Sequence, residues 1–213
     1  MKSVVCRLGE LGADLVLAPE RHLLAANAGD GVALGELVGL RNERVLEGEL
    51  GGAVVLDTTH ARDGVLDVGG ALRDGGMSNK SAKKRARAGD VIVSRLRPYL
   101  RQIAFVHPRA LAPLGGRTLA VSSEYYVLSP KPKARAGIAW LVPFLLGEVA
   151  QSALYDAQEG GHHPRVPQPS LLGLRVPHAI VARAARTHRT VERDLDALYR
   201  ALQRLYRLTG ATP

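Results

Sequence analysis

The sequence of 213 residues has one cysteine, few aromatic residues and no long apolar run. Because Cys6 stands alone, an intrachain disulfide and a cysteine-based zinc cluster are excluded. No segment approaches the roughly 18 to 20 uninterrupted apolar residues of a membrane-spanning helix. The first ten residues, MKSVVCRLGE, lack the apolar stretch of a secretory signal peptide. These absences predict a cytoplasmic protein without a membrane partner.

Acidic residues are also in the minority, with 20 against 29 basic residues, a net charge of +9 and a pI of about 10.1. The hydrophobic share of 46% is ordinary for a folded chain, so the positive charge lies on a globular surface. A basic balance of this kind suits a polyanionic partner. Aromatic residues make up only 4%, which disfavours the alternative of a single-strand or RNA binder that stacks bases on exposed rings.

The basic residues concentrate in one stretch of 22 residues, where only Asp90 opposes them. This clustering favours a nucleic-acid face over a uniformly basic surface. The five basic residues before Asp90 are predicted to contact phosphates, which would give sequence-independent and salt-sensitive affinity for nucleic acid. The eight basic residues are Lys80, Lys83, Lys84, Arg85, Arg87, Arg95, Arg97 and Arg101.

Apolar and turn patterns predict a mixed-sheet α+β domain over residues 31–177. Residues 1–30 are weakly patterned and form a segment of unclear role, with a short strand or helix near Leu15 to Leu24. Asp63-Gly64 predicts a turn, and Pro143 predicts a bend or break in the apolar helical region 138–155. The remaining predictions are a short helix within 32–45, one or two helical turns within 79–90, and strands at 53–59, 91–93, 103–106, 118–131 and before Pro177.

Residues 178–209 predict a single long helix, because no glycine or proline occurs between Pro177 and Gly210. Apolar residues recur there at spacings of three and four, which is the heptad pattern of a coiled-coil-type helix. Such a row predicts a homodimer or the docking of a partner; the alternative is that the helix packs on its own domain. The row consists of Val181, Ala184, His188, Val191, Leu195, Leu198, Leu202 and Leu205.

Catalytic motifs are weak throughout. His162 and His163 are adjacent, have no third ligand at suitable spacing, and fit a polar loop facing DNA better than a metal site. Ser122-Ser123-Glu124 lacks the glycine elbow of a nucleophilic serine, so a strand in which Glu124 pairs with an arginine is the better interpretation. The sequence therefore predicts no enzyme, no metal and no cofactor.

Three blocks of sequence, taken together, resemble the target recognition domain of type I restriction–modification specificity subunits. They are GDVIVSRLRPYLRQIAFV at 89–106, SSEYYVLSP at 122–130 and GGHHPRVPQPSLLGLRVP at 160–177. The resemblance covers roughly residues 32–177. It implies a double-stranded DNA-binding module without a catalytic centre, which guides a DNA methyltransferase, and often a restriction motor subunit, to a bipartite site.

The chain departs from the family plan because it has one recognition domain and one long helix instead of two of each. The family's helix-opening motif is replaced by VPHAIVARAAR at 176–186, which leaves methyltransferase docking open. The resemblance implies that half-length members can dimerise through their helices to rebuild the two-domain molecule, and the heptad row would suit that. The alternative is a non-catalytic interaction scaffold that keeps the fold and docks a partner through the helix without reading DNA.

The resemblance also implies which side chains lie near DNA. Arginine pairs with guanine in the major groove, but Arg95 and Arg101 belong to a block shared by family members that read different sequences. Phosphate contact or internal pairing is therefore the competing interpretation for them. The full predicted DNA-binding set is the eight basic residues above with Tyr99, His162, His163 and Arg165, and specific base contacts are expected from loops at 79–87, 108–117 and 159–165.

Overall fold

The computed structural model describes residues 31–75, 82–131, 137–161 and 164–210. Across these ranges the chain forms an α+β body followed by one long helix, as the sequence predicts. Within the same ranges, no helix combines the length and apolarity needed to cross a bilayer. The predictions made for residues 1–30 and for Lys80, His162 and His163 fall outside the described residues.

A four-stranded antiparallel sheet forms the centre of the body. Its strands are β2 (Val38–Leu40), β7 (Val91–Ser94), β8 (Ile103–Phe105) and β10 (Tyr125–Pro130), in the order β2-β10-β7-β8. Every residue of β7 and β8 is buried, because helices and a second sheet cover the apolar faces. The two strands predicted on either side of the arginine-rich turn are therefore confirmed.

The second sheet has three strands, and it contains two departures from the predicted elements. It joins β3 (Val54–Leu56), β6 (Lys83–Arg85) and β9 (Leu119–Ser122) in the order β3-β9-β6. Residues 118–131 are two strands in different sheets and not one, because the chain turns between β9 and β10. The helical turns predicted within 79–90 are wrong for the described residues 82–90: β6 pairs antiparallel with β9, and these tertiary hydrogen bonds override local helix propensity.

A tight hairpin confirms the predicted Asp63-Gly64 turn. It connects β4 (Ala61–Arg62) and β5 (Val65–Leu66), with positive φ at Asp63 (50°) and Gly64 (92°), the backbone of a two-residue hairpin turn. At the other end of the body, β1 (Val32–Ala33) pairs with β11 (Arg175–Val176), which confirms the strand before Pro177. Short helices complete the body: α1 (Leu34–Leu37), α2 (Glu47–Leu50), α3 (Val68–Arg73) and 3-10 turns at Thr58–His60, Pro98–Leu100 and Pro108–Leu114.

The apolar region 138–155 breaks at Gly147 and not at Pro143. It forms α4 (Leu141–Leu146) and α5 (Glu148–Asp156), with an extended residue, Gly147, between them. Pro143 lies in the first turn of α4, where no intrahelical partner is needed for a backbone N–H, so proline is accommodated there. A further helix, α6 (Gln168–Gly173), precedes β11.

Helix α7 (His178–Thr209) spans 32 residues and confirms the predicted long helix. The prediction that its whole apolar row is free for a partner is wrong, since Leu195 and Tyr199 are buried against the body. Val181, Val191 and Leu202 also pack there. Leu198 and Leu205 remain exposed. A helix with 3.6 residues per turn does not keep a heptad row on one face, so Tyr199 and not Leu198 faces the body.

Candidate nucleic-acid interface

The loop between β7 and β8 holds two arginines in an unusual backbone conformation. Arg97 (φ 42°) and Arg101 (φ 54°) are left-handed, and they flank the 3-10 turn Pro98–Leu100. A bulky residue at positive φ is rare and costs free energy, of order 1–3 kcal/mol. This backbone turns Arg97 and Tyr99 outward; Arg97 is exposed and Tyr99 is 59% exposed. The two side chains therefore project from a rigid strand pair into solvent.

Arg101, in contrast, holds the loop against the body. Its Nε donates to the Asp63 carboxylate at 2.5 Å, and its Nη1 donates to the Leu146 carbonyl at 3.1 Å. The Asp63 amide in turn donates to the Arg101 carbonyl at 3.0 Å. These contacts join the hairpin turn, the end of α4 and the loop, so internal pairing describes Arg101 better than base readout.

Arg95 and Arg165 meet at one carboxylate, Glu124. Arg165 donates from Nε and Nη2 to the two Glu124 oxygens, each at 3.1 Å. Arg95 Nε lies 3.6 Å from Glu124 Oε2, an ion pair too long for a hydrogen bond. The hydrogen bonds from Arg165 hold the pKa of Glu124 below its ordinary value, so the carboxylate is charged at neutral pH. The predicted pairing of Glu124 with an arginine is confirmed.

Lys84 and Tyr126 complete this arrangement, which we call the Glu124 cluster (Lys84, Arg95, Glu124, Tyr126 and Arg165). Lys84 Nζ donates to the Tyr125 carbonyl at 2.7 Å and lies 5.6 Å from the centre of the Tyr126 ring. The Arg95 guanidinium lies 5.9 Å from the same centre, within cation–π range. Burial lowers the pKa of Lys84, with a smaller contribution from Arg95. The cluster thus holds three cations around one anion.

Backbone hydrogen bonds bring Glu159, Arg165 and Val166 beside the loop at 95–101. The Val166 amide donates to the Arg95 carbonyl at 2.8 Å, and Arg165 and Glu159 exchange two backbone hydrogen bonds at 2.9 Å. The Tyr126 hydroxyl donates to the Val166 carbonyl at 2.8 Å from the buried side. Four of the predicted DNA-binding residues therefore share one surface, the loop face: Arg95, Arg97, Tyr99 and Arg165.

Apart from Lys84, the described basic residues on and just after β6 lie outside the Glu124 cluster, and the two arginines among them, Arg85 and Arg87, are paired with glutamates. Lys83 is buried at 4% exposure, which corrects the prediction that it contacts phosphates. Arg85 pairs with both Glu43 and Glu49, and Arg87 pairs with Glu43 at 2.7 Å. Phosphate contact by Arg85 or Arg87 stays a prediction that requires these ion pairs to open.

The sequence did not indicate that glutamates lie opposite the basic run. Glu43 is about 40 residues away along the chain, and only the packing of the segment after β2 beside β6 brings it near. Asp90, the one acidic residue inside the run, is buried and accepts two hydrogen bonds from Arg41 at 2.8 and 3.0 Å. Ion pairs between arginines and acidic residues that are about 40 to 50 positions apart cannot be predicted from the local sequence around either residue.

Catalytic groupings are absent from the part of the chain that the structure describes. No set of three metal-ligating His, Cys, Asp or Glu side chains comes together within those residues. Ser122 lines a small cavity with His60 and Asp74. However, His60 Nδ1 accepts a hydrogen bond from the Asp57 amide and Nε2 lies 3.0 Å from Asp74, so no ring nitrogen is left to activate the serine.

Neither family models nor curated proteins match this sequence, whereas solved structures match the fold. A chain from a structure described as the basis of complex assembly and conformational transition of the type I R-M system aligns with a TM-score of 0.51 and 20% identity. The alignment covers 84% of this chain and 45% of that one. The fold is that of a type I target recognition domain. The resemblance predicted from the three sequence blocks is confirmed at the level of the fold.

A second solved structure, the HsdS subunit from Thermoanaerobacter tengcongensis, aligns over 83% of this chain and 43% of its own, with 19% identity and a TM-score of 0.49. The chain thus spans less than half the length of both solved chains. In this fold, the three sequence blocks meet at the Glu124 cluster: Arg95 comes from the first, Glu124 and Tyr126 from the second, and Arg165 from the third. Blocks that lie far apart in sequence thus build one platform beneath the loop face.

Proposed function

We propose that this chain is a non-catalytic specificity subunit, whose residues 31–177 bind a particular duplex DNA sequence. One observation carries the proposal: the three blocks of the target recognition domain converge on the Glu124 cluster and present Arg97 and Tyr99 on a rigid loop. Arg97 has no ion-pair partner among the described residues, and its planar guanidinium suits guanine O6 and N7 or a phosphate. A bidentate pair with guanine contributes about 1 to 3 kcal/mol of discrimination between bases.

The rigidity of the loop between β7 and β8 explains why Arg95, Arg97 and Arg101 lie there. A side chain on a flexible loop loses backbone and rotamer entropy when it binds, and this loss weakens binding. The loop at 95–101 is fixed at both ends, by Glu124 near Arg95 and by Asp63 near Arg101. Two arginines therefore hold the loop, while the third is presented to the DNA.

The proposed partners rest on the arrangement of the described residues, in which one α+β body precedes one long helix. A single recognition domain reads one half of a bipartite site, so we propose a homodimer through α7 that places two loop faces on one duplex. Leu198, Leu205 and Leu208 are exposed along α7 and supply the apolar contact. A DNA methyltransferase would bind this assembly, with a restriction motor subunit as a further partner.

A scaffold that docks a partner through α7 without reading DNA is the second candidate. The exposed leucines favour it, because an apolar row on a helix serves a protein partner equally well. The two candidates differ in whether Arg97 and Tyr99 contact DNA.

Selection of random duplex DNA by the purified chain, followed by sequencing, tests the proposal. A dimer predicts an enriched palindromic motif with a fixed central gap, whereas one reading head predicts a single short motif. The selection is repeated with a candidate methyltransferase present. Absence of enrichment in both experiments would overturn DNA reading and leave the scaffold.

A further inference from the structure

The outward face of α7 is a row of arginines. The helix carries seven arginines against three acidic residues, a net charge of +4 on a chain whose total is +9. Every one of these arginines is exposed. The seven positions are Arg183, Arg186, Arg189, Arg193, Arg200, Arg204 and Arg207.

Their spacing aligns four of them along one side of the helix. Arg186, Arg193, Arg200 and Arg207 recur every seven residues, which is about 10.5 Å per step and roughly 31 Å in total at 1.5 Å per residue. At about 100° per residue, these four arginines lie roughly 100° to 160° around the helix from the mean direction of Leu195 and Tyr199, the residues packed on the body. The arginines therefore point away from the protein that α7 covers.

The three acidic residues of α7 already have partners. Glu192 lies 3.2 Å from His188, Asp194 pairs with Arg193, and Asp196 pairs with both Arg109 and Arg200. Among the described residues, no carboxylate forms an ion pair with the other five arginines of the helix. The uncompensated positive charge therefore lies in two groups, at residues 183–189 and 204–207, on either side of a middle stretch whose charges are paired.

We propose that this arginine face binds the phosphate backbone of duplex DNA, which deepens and rests on the proposed DNA-reading function. Two groups of unpaired arginines, which lie about 31 Å apart from Arg186 to Arg207, suit a long polyanion, because DNA offers phosphates continuously and requires no particular register. An acidic protein surface would need carboxylates placed to match each arginine. The helix would supply affinity without sequence preference, while the loop face supplies selectivity.

The test compares two variants that remove the same positive charge from different surfaces. In the helix variant, Arg186, Arg189, Arg204 and Arg207 are replaced by Gln; in the control variant, the same change is made at the exposed Arg44, Arg62, Arg73 and Arg175. Each protein is titrated with a random-sequence 30-base-pair duplex across a range of salt concentrations. Far-UV circular dichroism and light scattering establish that fold and mass match the wild type.

The helix variant should bind the duplex at least about tenfold more weakly at low salt, and its slope of log K against log salt should be shallower by about 0.9 for each lost phosphate contact. The control variant should stay close to the wild type. Equal losses in both variants, or an unchanged slope in the helix variant, would overturn the helix contact while leaving DNA reading intact. Failure of the wild-type chain to bind any duplex would instead overturn the proposed function itself.

Discussion

The Tyr199 hydroxyl on α7 forms two hydrogen bonds with the backbone of Leu66, accepting from the amide at 2.9 Å and donating to the carbonyl at 3.4 Å. The two residues are 133 positions apart, so this contact fixes the long helix to the β4–β5 hairpin. Burial raises the pKa of Tyr199 to about 12, which keeps the hydroxyl protonated and able to donate. The helix is thus part of the body along one face and is free along the others.

Replacing Tyr199 with Phe should lower the free energy of unfolding by about 1 to 3 kcal/mol, because the buried Leu66 amide loses its hydrogen-bond partner. Urea unfolding followed by circular dichroism measures the change. Tyr206→Phe is the matched control, since Tyr206 lies on the same helix without a side-chain hydrogen bond among the described contacts. Equal stabilities for wild type and Tyr199→Phe would show that this contact does not anchor the helix.

His107 should make the fold less stable as the pH falls below about 6.5. Its ring stacks on Tyr199, and burial lowers its pKa below the ordinary value of 6.5. The unfolded chain therefore takes up the proton first, so the contribution is fully present above pH 6.5 and is lost as the pH falls towards the folded pKa. Unfolding free energies at pH 7.5 and 5.5 should differ less in His107→Asn than in the wild type. The same pH dependence in both proteins would refute this assignment.

Glu124→Gln should destabilise the protein by about 1 to 3 kcal/mol, since Lys84, Arg95 and Arg165 would lose their shared anion. The folded pKa of Glu124 is lowered, so its contribution is present above pH 4.5 and is lost at more acidic pH. Chemical unfolding at pH 7 and at pH 3.5 measures both effects. Glu148→Gln, on an exposed position of α5, serves as the control and should change little. A difference from wild type that persists undiminished at pH 3.5 would contradict the charge argument.

Arg97 and Arg101 should separate stability from binding. Asn accepts a left-handed backbone readily, so Arg97→Asn should leave the unfolding free energy unchanged or raise it by up to about 1 kcal/mol, while DNA affinity falls. Arg101→Asn should lower stability, because contacts to Asp63 and Leu146 are lost. Thermal unfolding and duplex titration of both variants provide the comparison. If Arg97→Asn bound the selected duplex as tightly as the wild type, the loop face would not be the reading surface.

Leu198 and Leu205 should matter for assembly and not for folding. The double change to Asp should convert a dimer to a monomer, as measured by light scattering, with an unchanged circular dichroism spectrum. Leu195→Asp is the contrasting variant: it should unfold or strongly destabilise the chain, because Leu195 is buried on the body. An unchanged dimer mass in the double variant would place the dimer contact elsewhere.

Local sequence patterns correctly predicted the strands, hairpin and helix around the loop face. The apolar runs of β7 and β8, the Asp-Gly hairpin and the helix without glycine or proline all follow from chain-local physics. The helical turns expected within 79–90 are wrong for the described residues, because the strand conformation of Lys83–Arg85 depends on pairing with β9 and not on local composition. The long helix was predicted correctly, but a heptad row cannot reveal that Leu195 is buried against the body, and its use for a dimer stays a prediction.

Charges were harder to assign than elements. Proximity in sequence suggested one basic face, but Lys84 and Arg95 lie at the Glu124 cluster while Arg85 and Arg87 pair with Glu43. Long side chains reach partners that only tertiary structure brings near. Arg97 differs from Arg95 and Arg101 because, of these three, it alone has no ion-pair partner among the described residues, and this difference depends on tertiary contacts that the sequence does not reveal.

The most direct test is the ratio of affinities for a selected duplex and for a scrambled duplex of the same composition, measured at about 150 mM salt. The account predicts a ratio of at least about 1,000 for the wild type. It also predicts a large decrease in that ratio when Arg97 and Tyr99 are replaced together by Asn and Ala. A wild-type ratio near one would contradict the claim that this chain reads DNA.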